Sequence, residues 1–426
     1  MRRLPGAALA ALFLAATAAQ AGPAPVFALP SANRPPSAAA APVGPGLLFA
    51  QGQFAQARAA YEAVPKSSPN YEEALRQLGA IALYQNHLGE AENLLNNAHG
   101  RDPADLRCVG LLAETLNREG RFADMAQLLK QLGRPERAAE FDLFGKSTPY
   151  RVAGKPGAVT IGFLWTDPLP VVKAKVNGVE GLFLIDTGAP EIILDPDFAR
   201  DAHVQVTAGQ AAASRAPAPS FGRIGQFALP GLETDDVPAL ILSTRGFSAA
   251  ARNKRIAGII GTEFLSHFRF TLDYVHDRMI LEPPDAPSKT TGVIAEIPLW
   301  FVADHFLLAP GRFDQGPKQL FMVDTGMAHT AFTAPDSTLR DAGVPVPTPQ
   351  GPAKNAIGQP PAAQFPITSL SLGSLTESNI TGLFGPFPPG LQKGLGVNIG
   401  GIVSHDFFHP YSVTFDFVRM TIAIRK

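Results

Sequence analysis

Cysteine is nearly absent. The 426-residue chain holds one, Cys108, which excludes an internal disulfide and any zinc site built on cysteines. Charge is sparse too. There are 36 Lys and Arg against 37 Asp and Glu, so charged residues make up 17% of the chain, below the roughly 25% of an average soluble protein. The net charge of −1 supplies neither the basic field that nucleic acid requires nor a polybasic membrane surface. Beyond the N-terminus no apolar run approaches the roughly 18 residues of a membrane span, so the mature chain is expected to have none. A Gly-Lys-Ser/Thr phosphate loop and a nucleophile-elbow serine are also missing. By contrast, 46% of residues are hydrophobic, and there are 40 Gly and 40 Pro. That composition favours a turn-rich, extracytoplasmic protein with substantial cores, and the length suits two to four domains of about 100–200 residues each.

Arg2 and Arg3 precede an apolar stretch from Ala7 to Ala18, and Ala19-Gln20-Ala21 follows as a small-x-small cleavage site. This is the layout of a secretory signal peptide over 1–21, which places the mature protein in a periplasm or outside the cell. Residues 22–45 are Ala/Pro-rich and read as a linker.

Residues 46–145 repeat with a period of 34. Gly52, Asn86 and Gly120 form one column. Phe54, Leu88 and Phe122 form another, as do Ala57, Ala91 and Met125, and Tyr61, Leu95 and Leu129. Pro69 and Pro103 are also 34 apart. The pattern resembles the tetratricopeptide repeat, an all-α stack of helix pairs that bury their apolar faces only against one another. Such stacks usually bind a partner protein; this one can equally brace its neighbour. Cys108, on the first helix of the third unit, reads as a buried small hydrophobe.

The remainder of the chain duplicates itself in two halves, 158–283 and 293–426. Leu182-Phe-Leu-Ile-Asp186-Thr187-Gly188-Ala189 corresponds to Leu320-Phe-Met-Val-Asp324-Thr325-Gly326-Met327, at an offset of 138. Further on, Arg200-Asp201-Ala202 matches Arg340-Asp341-Ala342. The run from Gly258 to Leu265 matches Gly401 to Phe408, and Phe270 to Tyr274 matches Val413 to Phe417, the last two at an offset of 143. Trp165 and Trp300 each precede an Asp-Thr-Gly. Val171 to Val176 alternates and ends in Asn177-Gly178, a hairpin signal, and Phe301 to Leu308 reads similarly. Each half is therefore expected to be a small all-β lobe.

Two Asp-Thr-Gly loops, each after an apolar strand and inside a wider duplication, resemble the retropepsin/pepsin-type aspartic proteases, over about 260 of the 426 residues. The resemblance implies a fold of two retropepsin-like lobes and a catalytic pair, Asp186 and Asp324. It implies that Thr187 and Thr325 cross-link the two loops through their hydroxyls, and that Gly188 and Gly326 permit close approach. A later apolar-apolar-Gly segment supports each loop: Gly261 conforms, whereas Ser404 stands in place of glycine, and Met327 is longer than the small residue usual at its position. By resemblance, the Gly/Ala/Pro stretches 207–223 and 345–366 occupy the flaps.

The chemistry suits these residue types. Two carboxylates about 3 Å apart share one proton, so one member can take a proton from water while the other hydrogen-bonds the scissile carbonyl. No cofactor is called for. The expected ligand is an extended polypeptide paired as an added strand. With both loops in one chain, a monomeric site suffices. The alternative is an inactive protease-like scaffold that binds peptide without cutting it, motivated by Met327 and Ser404. His405, Asp406 and His409 have metal-like spacing, but in the duplication His405 faces Thr262 and His409 faces Ser266. They read as surface or cap residues rather than a metal site, and His329 reads as exposed.

Overall fold

The computed structural model describes residues 43–154, 157–207, 220–248, 251–348, 363–385, 387 and 390–426. The signal segment, most of the linker and the greater part of both flap-region stretches lie outside the described residues.

Helices come first: α1 (Pro45–Ala50), α2 (Phe54–Glu62), α3 (Tyr71–Tyr84), α4 (Leu88–Arg101), α5 (Leu106–Arg118), α6 (Phe122–Gln131) and α7 (Pro135–Asp142). The first six pair as three helix hairpins, with α7 following. At the turn inside each hairpin, Gly52, Asn86 and Gly120 have φ of 72°, 57° and 70°. The repeated column thus marks the left-handed residue that ends one helix and turns the chain into the next. The Ala57 and Tyr61 columns point into the stack and are buried in all three units. Asp105 caps α5 by accepting hydrogen bonds from the amides of Arg107 and Cys108, and Cys108 is buried.

The first β half contains β1 (Arg151–Val152), β2 (Val159–Gly162), β3 (Val171–Val176), β4 (Val179–Ile185), β5 (Ile192–Leu194), α8 (Pro196–Asp201), β6 (Gln205–Val206), β7 (Ser220–Leu229), β8 (Leu232–Ile241), β9 (Gly258–Ile260), α9 (Thr262–Leu265), β10 (Arg269–Asp273) and β11 (Arg278–Glu282). The second contains β12 (Val293–Pro298), β13 (Trp300–Val302), β14 (Phe306–Phe313), β15 (Lys318–Asp324), β16 (Phe332–Ala334), α10 (Asp336–Asp341), β17 (Ala363–Leu372), β18 (Leu375–Phe384), α11 (Leu391–Leu395), β19 (Ile399–Ser404), α12 (His405–Phe408), β20 (Ser412–Asp416) and β21 (Thr421–Arg425). Each lobe has its own sheet, in the orders β1-β8-β5-β9-β4-β3-β7-β6 and β13-β14-β15-β19-β16-β18-β17. The architecture is a helical-repeat module followed by duplicated retropepsin-like β lobes.

A third sheet, β12-β21-β20-β10-β11-β2, joins the lobes. At its centre Thr271 pairs with Thr414, its own counterpart 143 residues on, with the hydroxyls 2.8 Å apart. The rings of Phe270 and Phe415 stack beside them at 4.5 Å. A residue facing its own duplicate marks the axis that relates the lobes. Asn177 and Gly178, at φ of 48° and 87°, make the predicted β3–β4 turn, because both central residues of that turn type need positive φ. Phe301 to Leu308 is not one alternating stretch. It splits into β13 and β14, paired antiparallel around a turn at Ala303 and Asp304. Residues 220–223 and 363–366 of the flap-region stretches open the β7–β8 and β17–β18 hairpins.

The helical module packs on both lobes. Phe54 lies 5.3 Å from the ring of Trp300. The Asn86 amide donates to the carbonyl of Phe417. The Arg118 guanidinium donates to the carbonyls of Phe301 and Ala303 and covers the Phe301 ring at 3.7 Å, a cation–π contact.

Candidate active site

Both Asp-Thr-Gly loops leave the ends of central strands, β4 and β15. Each of these strands runs parallel to the later supporting strand of its own lobe, β9 or β19. Parallel neighbours buried on both faces need continuous apolar runs, which is why Asp186 and Asp324 follow Leu-Phe-Leu-Ile and Leu-Phe-Met-Val. The two loops meet on the axis. The amide of Thr187 donates to the hydroxyl of Thr325 at 3.1 Å, and the amide of Thr325 donates to the hydroxyl of Thr187 at 3.0 Å. The Thr187 hydroxyl donates onward to the carbonyl of Val323. Both threonines are fully buried, so these bonds are shielded from competing water.

The glycines lie against the opposite carboxylates. A Cβ on Gly188 would sit 2.4 Å from Cγ of Asp324, and one on Gly326 would sit 2.1 Å from Cγ of Asp186. Any side chain there would push the acids apart. Each carboxylate also accepts the amide of its own glycine, Gly188 to Asp186 at 2.7 Å and Gly326 to Asp324 at 2.8 Å.

Asp186 and Asp324 are 3% and 4% exposed. Burial, then the charge of Asp324, hold Asp186 well above the ordinary aspartate range. Burial raises Asp324 as well, but the Gly326 amide, the proton of Asp186 and the charge of His305 favour its ionised form. Both carboxyls are thus pushed toward the protonated form, Asp186 more strongly, and they interact closely enough to titrate as a unit.

The two supporting segments differ. Gly261 is walled in by the carbonyls of Glu191, Pro190 and Ala189, at 2.4, 2.5 and 2.7 Å from where its Cβ would be. Ser404 fits because the second loop is two residues longer. Ile193 pairs with Ile259, whereas Thr333, not residue 331, pairs with the corresponding Ile402. The extra length carries the loop around the serine, whose amide donates to the carbonyl of Ala331. Met327 is buried, with its sulfur 4.0 Å from the Thr333 hydroxyl.

One histidine needs correction. His405 is neither surface nor cap: it is 2% exposed, beside Tyr274 at 5.2 Å and His409 at 5.3 Å. Burial pushes it down to about 3. It takes the place of Thr262, whose hydroxyl donates to the carbonyl of Thr187, a supporting bond the motif alone did not reveal. His409 and His329 are exposed. Among the described residues no cluster of three or more His, Cys, Asp or Glu could hold a metal ion.

Residues missed by sequence reasoning lie behind the first loop. Glu140, Glu191 and Glu263 are 0%, 2% and 6% exposed. Arg137 pairs with Glu140 and Glu191, and Asn117 and Tyr150 bond Glu263. No local pattern announces them, because they converge from the helical module and the first lobe.

Residues 172–264 match the aspartyl protease family. Residues 48–114 match the tetratricopeptide repeat. No curated protein matches the chain. Among solved structures, a retropepsin-like aspartic protease from Rickettsia conorii is 22% identical, with a TM-score of 0.23, over 31% of this chain and 95% of that one. Among the described residues no helix is long and apolar enough to cross a membrane.

Proposed function

We propose that this protein is an aspartic-type endopeptidase that works outside the cytoplasm and cleaves extended polypeptide with Asp186 and Asp324. The observation that carries the reading is the reciprocal approach of the two loops, in which each glycine abuts the other lobe's carboxylate and the two threonines exchange hydrogen bonds. In this reading Asp324 takes a proton from a water as its oxygen attacks the scissile carbonyl. Asp186 gives its proton to the carbonyl oxygen, leaving a tetrahedral diol. On collapse the departing nitrogen takes the proton held by Asp324, and one diol proton returns to Asp186. The C–N bond breaks and the pair again holds one proton.

The test uses the full chain, incubated with a denatured protein mixture from acid to neutral pH. Asp186→Asn and Asp324→Asn should each lower kcat by about 10⁴-fold, as loss of a member of an interdependent catalytic set does, while the fold persists. Full activity in both variants would remove the dyad assignment. Binding without cleavage by the wild-type chain would favour the scaffold reading. If the leader is removed on export, the mass of the exported protein should correspond to a chain starting at Gly22; an intact Met1 chain retained in the cytoplasm would overturn the placement.

A further inference from the structure

The loop carrying Asp186 ends at Glu191, and its backbone is laid across α9. The carbonyls of Ala189 and Pro190 accept the amides of Thr262 and Glu263 at 2.9 and 2.8 Å. Three carbonyls of this loop enclose Gly261. Moving Glu191 therefore moves the frame on which Asp186 sits. The Glu191 carboxylate accepts a hydrogen bond from the Arg137 guanidinium at 2.8 Å. Arg137 comes from α7 of the helical module, not from the protease-like lobes. Its guanidinium also bonds Glu140 and is held near two rings, Phe141 at 4.9 Å and Phe221 at 4.7 Å.

Two carboxyls and one guanidinium in a dry site invite a division of labour. Burial and the charges of Glu191 and Glu263 raise Glu140 well above the ordinary glutamate range, against the pull of Arg137. Burial raises Glu191 as well, against the charge and hydrogen bond of Arg137, so of the two Glu191 is the more readily ionised partner of the guanidinium. Removing one member of a buried pair leaves the other charge uncompensated, the costly outcome.

Among the described residues the second lobe has no equivalent brace. The counterpart of Glu263 is Asp406, which is exposed, and its longer loop carries the exposed His329. The helical module thus grips one loop of the two.

We propose that Arg137 is a positioning residue for the Asp186 loop, acting through Glu191, so that the helical module is a working part of the catalytic unit. The proposal rests on the endopeptidase reading for its kinetic consequence and on geometry alone for its structural one. Two readouts separate them: peptide cleavage, split into kcat and KM, and hydrogen exchange at the amides of residues 187–192, both measured on the full chain. Arg137→Met should lower kcat about 100-fold with KM little changed, the scale of effect of a misplacement of about 1 Å, and should speed exchange in 187–192. Arg137→Lys should recover part of both effects. Arg137→Met combined with Glu191→Gln removes the uncompensated charge, so it should restore slow exchange and much of kcat; it also serves if the single variant does not fold. Unchanged cleavage and exchange in Arg137→Met would overturn the proposal. So would a double variant no better than the single one, since that pattern marks a general packing role. If the wild-type chain cleaves no peptide, the endopeptidase reading fails, and the exchange measurement alone decides whether Arg137 holds the loop.

Discussion

A single hydroxymethyl group separates Gly261 from Ser404, yet the two positions tolerate it very differently. The wall around Gly261 is backbone carbonyl, which cannot rotate aside as a side chain would. Gly261→Ser should therefore destabilise the chain by about 3 kcal/mol, at the upper end of overpacking costs. Ser404→Gly removes a buried hydroxyl that has no hydrogen-bond partner among the described residues and gains backbone freedom in the unfolded chain, so the change should stay within about 1 kcal/mol. Urea unfolding of both variants measures the contrast; equal losses would contradict the role given to loop length. The glycine was legible as part of a motif. The reason its partner can be serine was not, because the two extra residues sit in a loop that the duplication aligns only once strand pairing is known.

At the scale of elements, the 34-residue columns and the paired apolar strands carried most of the information. Local physics acts at the turn inside each helix hairpin, where Gly52, Asn86 and Gly120 are left-handed, and glycine or asparagine supplies that conformation at least cost. Gly120→Ala should destabilise the stack by about 1–2 kcal/mol through its φ of 70°, with mild crowding from Pro149 at 3.4 Å. A fall in urea midpoint without a change in helix content checks this. Asn86 fills the same role and adds a bond to Phe417, so one column serves both the turn and the docking surface. The stretch from Phe301 to Leu308 was misread because alternation also arises in two short strands folded on each other. In the turn between them the Asp304 carboxylate bonds the imidazole of its neighbour His305.

At the scale of the whole molecule, the docking of helices on the lobes buries acids that the sequence shows only as scattered surface-type residues. Glu114 is pushed up to about 7 by burial, against the pull of Arg118. Burial raises Glu140, Glu191, Glu263 and the dyad in the same direction. A carboxyl whose folded value lies above its unfolded value binds more protons when native. For Glu114, that stability is fully present below about 4.5 and is lost as pH rises through about 7. Burial pushes His267 and His405 the opposite way, but the raised carboxyls outnumber them. The urea midpoint should therefore fall between pH 5 and pH 8, and Glu114→Gln should flatten that slope. A midpoint that rises over this range would show that the helical module does not bury these acids in solution.

Sequence alone determined the parts whose causes are local or repeated: the helical period, the apolar strands, the Asn177-Gly178 turn, and two Asp-Thr-Gly loops with Gly261 and Ser404 behind them. Periodicity and turn chemistry act between near neighbours, so the chain displays them directly. Only the tertiary structure decided which groups separated by 54 to 331 residues meet in a dry environment. Arg137 finds Glu191, Asn86 finds Phe417, and His405 is buried where Thr262 stands in the other lobe. Burial is what gives such pairs their energetic weight, because a charge removed from water must find its partner or lose its charge.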